Sequence, residues 1–264
     1  MDKEKTIALI EILSQKWKIK NKKFFFEIIN FLDKNVNKKF SFFNGFEFSF
    51  IENQPKVRLL HLDFWYPTLS LSIFKKIIEK REKTIILLFK KFSQKFHCFY
   101  SLELLKKFFQ FNREEKNFPI QFGFEWNKKS QPRLKVYLSI NGINFSLKKF
   151  CHEFQLNKLQ TQKNFLKNKK FDTIALDFFP HGGYCFKFYP LLTKSKGLLL
   201  RINKDSKIIS IKKWKRFPKG LEIEDSKVRN FIKLPKYLFT IIKKLDFKVH
   251  YLCEENSKKS IYFR

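Results

Sequence analysis

The 264-residue sequence has little glycine, proline, alanine or arginine, one methionine, four cysteines and no long apolar run. Each scarcity closes off a class of protein. The longest purely apolar stretches are short ones such as Ile85 to Phe89, with lysine close on either side, so no transmembrane helix fits and no membrane partner is expected. The start, Met1-Asp2-Lys3-Glu4-Lys5, is charged and leads into no apolar h-region, which argues against a secretory signal and for a cytoplasmic protein. Cys98, Cys151, Cys185 and Cys253 form no CxxC pair, and the neighbouring His97 and His152 do not restore zinc-finger spacing. They read as reduced, buried thiols, and no metal site is expected. GxGxxG, P-loop, GxSxG and HExxH patterns are all absent, so the common enzyme signatures are missing.

Arginine is scarce in an otherwise very basic chain: 48 of the 56 cations are lysine and only 8 are arginine, against 24 acids, for a formal net charge of +32. A dedicated nucleic-acid binder leans more on the arginine fork, which reads phosphates and guanine edges. A composition rich in Lys, Phe, Asn and Ile is also what an AT-rich coding sequence produces. The global charge therefore identifies no partner, and the placement of individual cations has to. What is abundant is apolar material: 44% of residues are hydrophobic and 36 are phenylalanine. That is enough to offset chain entropy and excludes the disordered and fibrous classes. We read residues 1–264 as a single domain.

The chain repeats. Gly123 to Leu138 (GFEWNKKSQPRLKVYL) lies over Ala175 to Pro190 (ALDFFPHGGYCFKFYP) without a gap at an offset of 52, which puts Glu125 on Asp177, Lys135 on Lys187 and Tyr137 on Tyr189. Each unit is an alternating strand, a short turn and a second alternating strand. Weaker copies run from Phe46 to Tyr66, Gly197 to Trp214 and Lys248 to Arg264. Helix-period segments lie between them, at Lys3–Lys18, Asn21–Leu32, Ser70–Phe92, Ser101–Phe111, Ser146–Phe154, part of Gln160–Asn168, and Asp225–Lys244. The third and fourth hairpins are nearly contiguous, so no helix pair separates them.

Strand alternation sorts the side chains onto two faces. Leu134, Val136 and Leu138 share one face while Arg133, Lys135 and Tyr137 share the other; Phe186 and Phe188 oppose Cys185, Lys187 and Tyr189. The greasy face has to be covered by the amphipathic helices. Ten antiparallel strands curl or leave edges, and closure removes both problems. The expected fold is therefore α+β: a ten-stranded antiparallel β-barrel of five hairpins inside a ring of α-helices, in ααββ units. Register then fills the lumen. One ring holds Lys56, Arg133 and Lys258, the next Arg58, Lys135, Lys187 and Lys212, and beyond it come Tyr137, Tyr189, Trp214 and Tyr262; first strands add Glu47, Glu125 and Asp177. Converging cations in a partly dry cavity need an anion, most simply a diphosphate. Aromatic faces beside it bind a cation. Together these describe an ionising allylic diphosphate.

Arg133-Leu-Lys135-Val-Tyr137, Lys187-Phe-Tyr189 and the helix-helix-strand-strand grammar resemble the aromatic prenyltransferases of the ABBA, or PT-barrel, type. These include fungal indole prenyltransferases and bacterial peptide prenyltransferases of the cyanobactin kind, enzymes of natural-product biosynthesis. The resemblance implies that Arg58, Arg133, Lys135, Lys187 and Lys212 hold the diphosphate, and that Tyr137, Tyr189 and Tyr262, with Trp214, shield the allylic cation. It matches Glu47 to the acidic residue that orients or deprotonates the acceptor; Asp63, Glu125 and Asp177 compete for that role. Implied partners are a prenyl diphosphate such as dimethylallyl diphosphate and an aromatic or peptide acceptor, with no cofactor required, magnesium possible but not indicated, and no nucleic acid. Departures are Leu60 at the first shield position and Cys185 where Arg133 has its counterpart. The alternative reading is a basic nucleic-acid-binding or ribosome-associated protein, which would spread its cations over the outer helix faces.

Overall fold

Alternation of apolar and polar side chains along each hairpin gives the sheet one face to bury and one to enclose. The structure, a computed structural model, describes residues 3–16, 18, 22–35, 39, 41–52, 54–65, 68–115, 118–127, 132–140, 145–156, 170–193, 196–205 and 207–264. Its strands are β1 (Ser41–Ile51), β2 (Gln54–Trp65), β3 (Ile120–Asn127), β4 (Arg133–Ser139), β5 (Phe171–Phe178), β6 (Tyr184–Thr193), β7 (Lys196–Asn203), β8 (Ile208–Leu221), β9 (Val249–Glu255) and β10 (Lys258–Phe263). Each pairs antiparallel with its chain neighbours, and β1 pairs with β10 to close the barrel. The 52-residue repeat is reproduced in the hydrogen-bond register. Glu125, Gly123 and Gln121 face Arg133, Lys135 and Tyr137, as Asp177, Ala175 and Thr173 face Cys185, Lys187 and Tyr189. The turn between β5 and β6 uses Gly182 and Gly183 at φ +104° and +81°, a conformation that explains the glycines beside His181 without any chemistry.

Seven helices are found among the described residues: α1 (Lys3–Lys16), α2 (Lys22–Asn35), α3 (Leu71–Phe96), α4 (Leu102–Glu115), α5 (Leu147–Glu153), α6 (Ser226–Phe231) and α7 (Lys236–Lys244). The phenylalanine surplus sits where they meet the barrel. Phe46, Phe48, Phe50, Phe122, Phe124, Phe186 and Phe188 point outward and are all buried. On α3, which begins at the Ser70 cap, Ile78, Ile85, Phe89 and Phe92 recur at helical spacing and are buried. The Phe92 ring stacks on Phe124 at 4.0 Å, almost parallel. Truncating either to alanine should cost about 3–5 kcal/mol.

Among the described residues, one buried cation lies on this outer face. Arg81 of α3 donates to the Ile120 carbonyl at 3.0 Å and to His61 Nδ1 at 2.7 Å, sits 3.7 Å from Asp63 and covers the Phe122 ring at 4.8 Å. Burial and the adjacent guanidinium hold the His61 imidazole neutral, so its ring nitrogen can accept. Asp63 is thereby committed outside the barrel.

Two expectations are corrected. The segment Asp225–Lys244 is two short helices, because Pro235, at the N-cap of α7, has no N–H to continue α6 and disfavours helix in the residue before it. Lys258, on the same face of β10 as Tyr262, is exposed at the β9–β10 turn, so it stands at the rim and not in a buried ring. The β6–β7 connection holds no helix, as the contiguous hairpins require. The Lys56 side chain and the Gln160–Asn168 segment lie outside the described residues.

Candidate active site

The inner face of the barrel is the polar one. Towards the hairpin-turn end, Arg58 of β2, Arg133 and Lys135 of β4, Lys187 of β6, Arg201 of β7 and Lys212 of β8 converge. Three carboxylates thread between them. Glu125 bridges Arg58 (2.6 Å), Lys135 (2.6 Å) and Arg133 (3.7 Å). Asp177, fully buried, binds Arg133 and Lys187, the latter at 2.5 Å. Glu255 takes Arg201 at 3.1 Å and the Ser210 hydroxyl at 2.6 Å. Burial alone would raise the Asp177 carboxyl, but Arg133, Lys187 and Lys135 outweigh it and hold the group well below the usual carboxylate range. Burial pulls the ammonium groups of Lys135 and Lys187 down, opposed by Glu125 and Asp177 respectively. Six cations against three carboxylates make this largely dry basket cation-rich, and an anion entering it would offset the cost of burying them.

Next along the strands is an aromatic layer. Tyr137, Tyr189 and Tyr262, with Leu60 and Leu199, line both a small cavity of about 40 Å³ in the basket and a larger one of about 150 Å³ beyond it. The Tyr262 hydroxyl accepts from Lys212 Nζ at 2.8 Å and Arg58 Nη1 at 3.1 Å, joining layer to basket. The hydroxyls of Tyr137 and Tyr189 have no hydrogen-bond partner among the described residues. Burial raises both phenols well above their ordinary range, so they remain neutral and their ring faces stay electron-rich. The Trp214 indole, 8% exposed, lies across β7 at Gly197, where a Cβ would come within 2.1 Å of its ring, and meets Tyr251 edge-on at 6.0 Å. Glycine is required there by close approach.

All the residues expected in the lumen and described with side chains, Lys258 excepted, point into it: Glu47, Glu125, Asp177, Arg58, Arg133, Lys135, Lys187, Lys212, Tyr137, Tyr189, Tyr262 and Trp214. Of the acids competing with Glu47, Glu125 and Asp177 are tied into the basket and Asp63 faces outward. Glu47, 5% exposed, lines both cavities and has no ion-pair or hydrogen-bond partner among the described residues. Burial pushes its carboxyl up to about 7 against the pull of Arg264, Arg216 and Lys212. Leu60 stands in the aromatic layer, so the shield is incomplete on β2.

Sequence reasoning missed several lumen residues. Arg201 lies on a first strand, where acids were the pattern, although its alternation with Leu199 and Gly197 places it inward. Arg216 and Arg264 lie two residues beyond Trp214 and Tyr262 on the same faces, and extending the register by one step would have found them.

No family model matches the chain, and no curated protein is significantly similar to it in sequence. Solved structures do match in shape. A 5-dimethylallyltryptophan synthase from Streptomyces coelicolor aligns over 83% of this chain and 80% of its own, at TM-score 0.52 and 12% identity. A 6-dimethylallyl tryptophan synthase aligns over 84% and 80%, at TM-score 0.51 and 9% identity. The closed, sequential ten-stranded antiparallel barrel, helices outside and polar residues within, is the PT-barrel fold of the ABBA-type aromatic prenyltransferases.

Proposed function

We propose that the protein is an aromatic prenyltransferase that moves a dimethylallyl or longer prenyl group from its diphosphate to an electron-rich aromatic small molecule or peptide side chain. The observation that carries this reading is the juxtaposition in one lumen of an under-neutralised cation basket, a tyrosine layer and one unpartnered buried carboxyl. The diphosphate sits among Arg58, Arg133, Lys135, Lys187 and Lys212, with Arg201 beside them. The bond between the prenyl C1 and the diphosphate oxygen breaks heterolytically, its electron pair leaves with the diphosphate, and the basket stabilises the charge that develops. The allylic cation lies against Tyr137, Tyr189, Tyr262 and Trp214, whose faces favour it and exclude water. An acceptor carbon attacks C1, and Glu47 takes the proton displaced from the acceptor.

Dimethylallyl diphosphate and an aromatic acceptor should together release inorganic diphosphate and yield a product heavier by the prenyl group. We expect turnover to survive EDTA, because protein cations already occupy the place where charge gathers; activity lost to EDTA and restored by magnesium would sink that part. No release with any aromatic acceptor, combined with tight RNA binding, would favour the nucleic-acid reading, which requires the cations to act from the outer surface.

A further inference from the structure

We propose that inorganic diphosphate, the leaving group of the transfer, enters and leaves the basket through the hairpin-turn end of the barrel, while the prenyl diphosphate uses the opposite mouth, where the helices join the strands. The inference rests on the prenyltransferase reading and adds to it a separate exit for the leaving group. Burial along the lumen carries it. Tyr137, Tyr189 and Tyr262 of the aromatic layer are half-buried and line the larger cavity. In the middle of the basket the side chains of Lys135 and Lys187 are only 6% and 5% exposed, and Lys212 is buried. Nearer the turns exposure rises again, to 17% at Arg133, 19% at Arg201 and 18% at Glu255. Arg133 is the first residue of β4, Glu255 the last of β9, and Arg201 lies two residues before the end of β7. Solvent therefore reaches the basket from the turn side as well as from the mouth.

The turn-side path is the shorter one. Lys135 stands two residues from the turn end of β4, about 7 Å at the usual rise, and four from its other end, about 13 Å. Among the described residues, what lies across that path is side chain: the Arg133 guanidinium over the Phe179 ring at 4.9 Å, and the Arg201–Glu255 ion pair at 3.1 Å. A passing diphosphate can exchange for both contacts, since its oxygens suit the guanidinium fork. The rim beyond carries exposed Lys204, Lys207 and Lys258 against Glu52 and Asp205, and attracts a polyanion. The mouth-side path crosses Tyr137, Tyr189, Leu60 and Leu199, a costly passage for a polyanion, and after transfer the prenylated acceptor stands in it. For the prenyl ester the costs reverse, because its apolar tail would have to pass between the cations to reach the aromatic layer.

The test reverses charge at one end at a time in the full chain. One variant carries Lys204→Glu, Lys207→Glu and Lys258→Glu at the turns, the other Lys170→Glu, Lys215→Glu and Lys219→Glu towards the mouth; every one of these side chains is exposed, so both variants should fold. Association rates are taken from phosphorus NMR exchange and calorimetric affinities, for inorganic diphosphate and for the sulfur-bridged analogue of dimethylallyl diphosphate, whose C–S bond resists heterolysis. At low ionic strength the turn variant should take up inorganic diphosphate at least about five-fold more slowly than the mouth variant, and the analogue should show the opposite order. Both differences should fade at about 1 M salt, where the screening length is about 3 Å. Equal rates for inorganic diphosphate in the two variants, or a slower mouth variant, would overturn the exit and leave the prenyltransferase reading in place. An analogue slowed at the turn end as well would overturn the separation of the two paths. An unaltered protein that takes up no inorganic diphosphate overturns the exit, and one that takes up neither ligand overturns the reading with it.

Discussion

The two ends of the barrel interior handle buried charge in opposite ways. In the basket every carboxylate is clamped by cations: Glu125 by Arg58 and Lys135, Asp177 by Arg133 and Lys187, Glu255 by Arg201. From the tyrosine layer outward, Glu47, opposite Leu60, and Arg216 share a cavity without an ion pair or hydrogen bond among the described residues. The clamped end is preorganised, its side chains already desolvated and oriented before any anion arrives. The unclamped end holds groups whose protonation and contacts are left for a ligand to decide. Internal pairing thus separates the part of the lumen that stabilises charge from the part that exchanges protons.

The largest effect should come from unclamping the basket. Asp177→Ala leaves Arg133 and Lys187 buried without their counter-ion and should destabilise the free protein by about 3–5 kcal/mol. Inorganic diphosphate should then raise the melting temperature of the variant more than that of the unaltered protein; equal shifts would break the comparison by showing that the basket does not exchange anions. The same carboxyl sets an acid limit. Because its folded pKa is depressed, its contribution to stability is present above the unfolded value near 4 and is lost as pH falls further.

Glu47 should behave with the opposite sign. Its folded pKa is raised from 4.5 to about 7, so its ionisation disfavours the fold, and the cost sets in as pH rises through that interval and is complete above it. Glu47→Gln should stabilise the protein at pH 8 by up to about 3 kcal/mol and change little at pH 4.5, as read by chemical denaturation at the two pH values. Product formation by the unaltered enzyme should rise with pH through about 7, where Glu47 gives up its proton and becomes a base, and the variant should lose that limb.

Smaller effects sharpen the boundary between the ends. Lys135→Ala and Lys187→Ala should each weaken inorganic diphosphate binding by roughly 1.5–3 kcal/mol in calorimetry, while loss of the exposed Lys83 on α3 should not. Unchanged affinity in the first two would misplace the anion. Smallest of all, Tyr137→Phe and Tyr189→Phe should keep the rate within about three-fold, because the ring face does the work, whereas leucine at either position should cost about ten-fold. A large effect of the phenylalanine changes would mean that the free hydroxyls act directly.

Much of this was legible in the sequence because strand geometry is local. A period of two assigns Phe186 and Lys187 to opposite faces without knowledge of any other strand, and the 52-residue repeat shows that Lys135 and Lys187 share a level. The pattern weakened where one residue type broke it. Arg201 stands among first strands otherwise marked by acids. Asp225–Lys244 kept helical spacing through Pro235, and a periodicity count does not see a missing N–H. Trp214 matched the shield position, yet that its indole lies on Gly197 depends on the pairing of β7 with β8, which spacing within one strand does not contain.

The sequence by itself determined the two faces of each strand, the five hairpins, the need for closure and the ring of cations followed by aromatics, since all of these follow from alternation, repetition and the exclusion of apolar surface from water. Only the tertiary structure decided which carboxylates are consumed by the basket, that Asp63 is turned outward to Arg81, and that Glu47 is left unpartnered beside Arg216. Those outcomes depend on distances across the lumen between strands far apart in the chain, and a charge is neutralised or left free by what lies within a few ångströms of it in space.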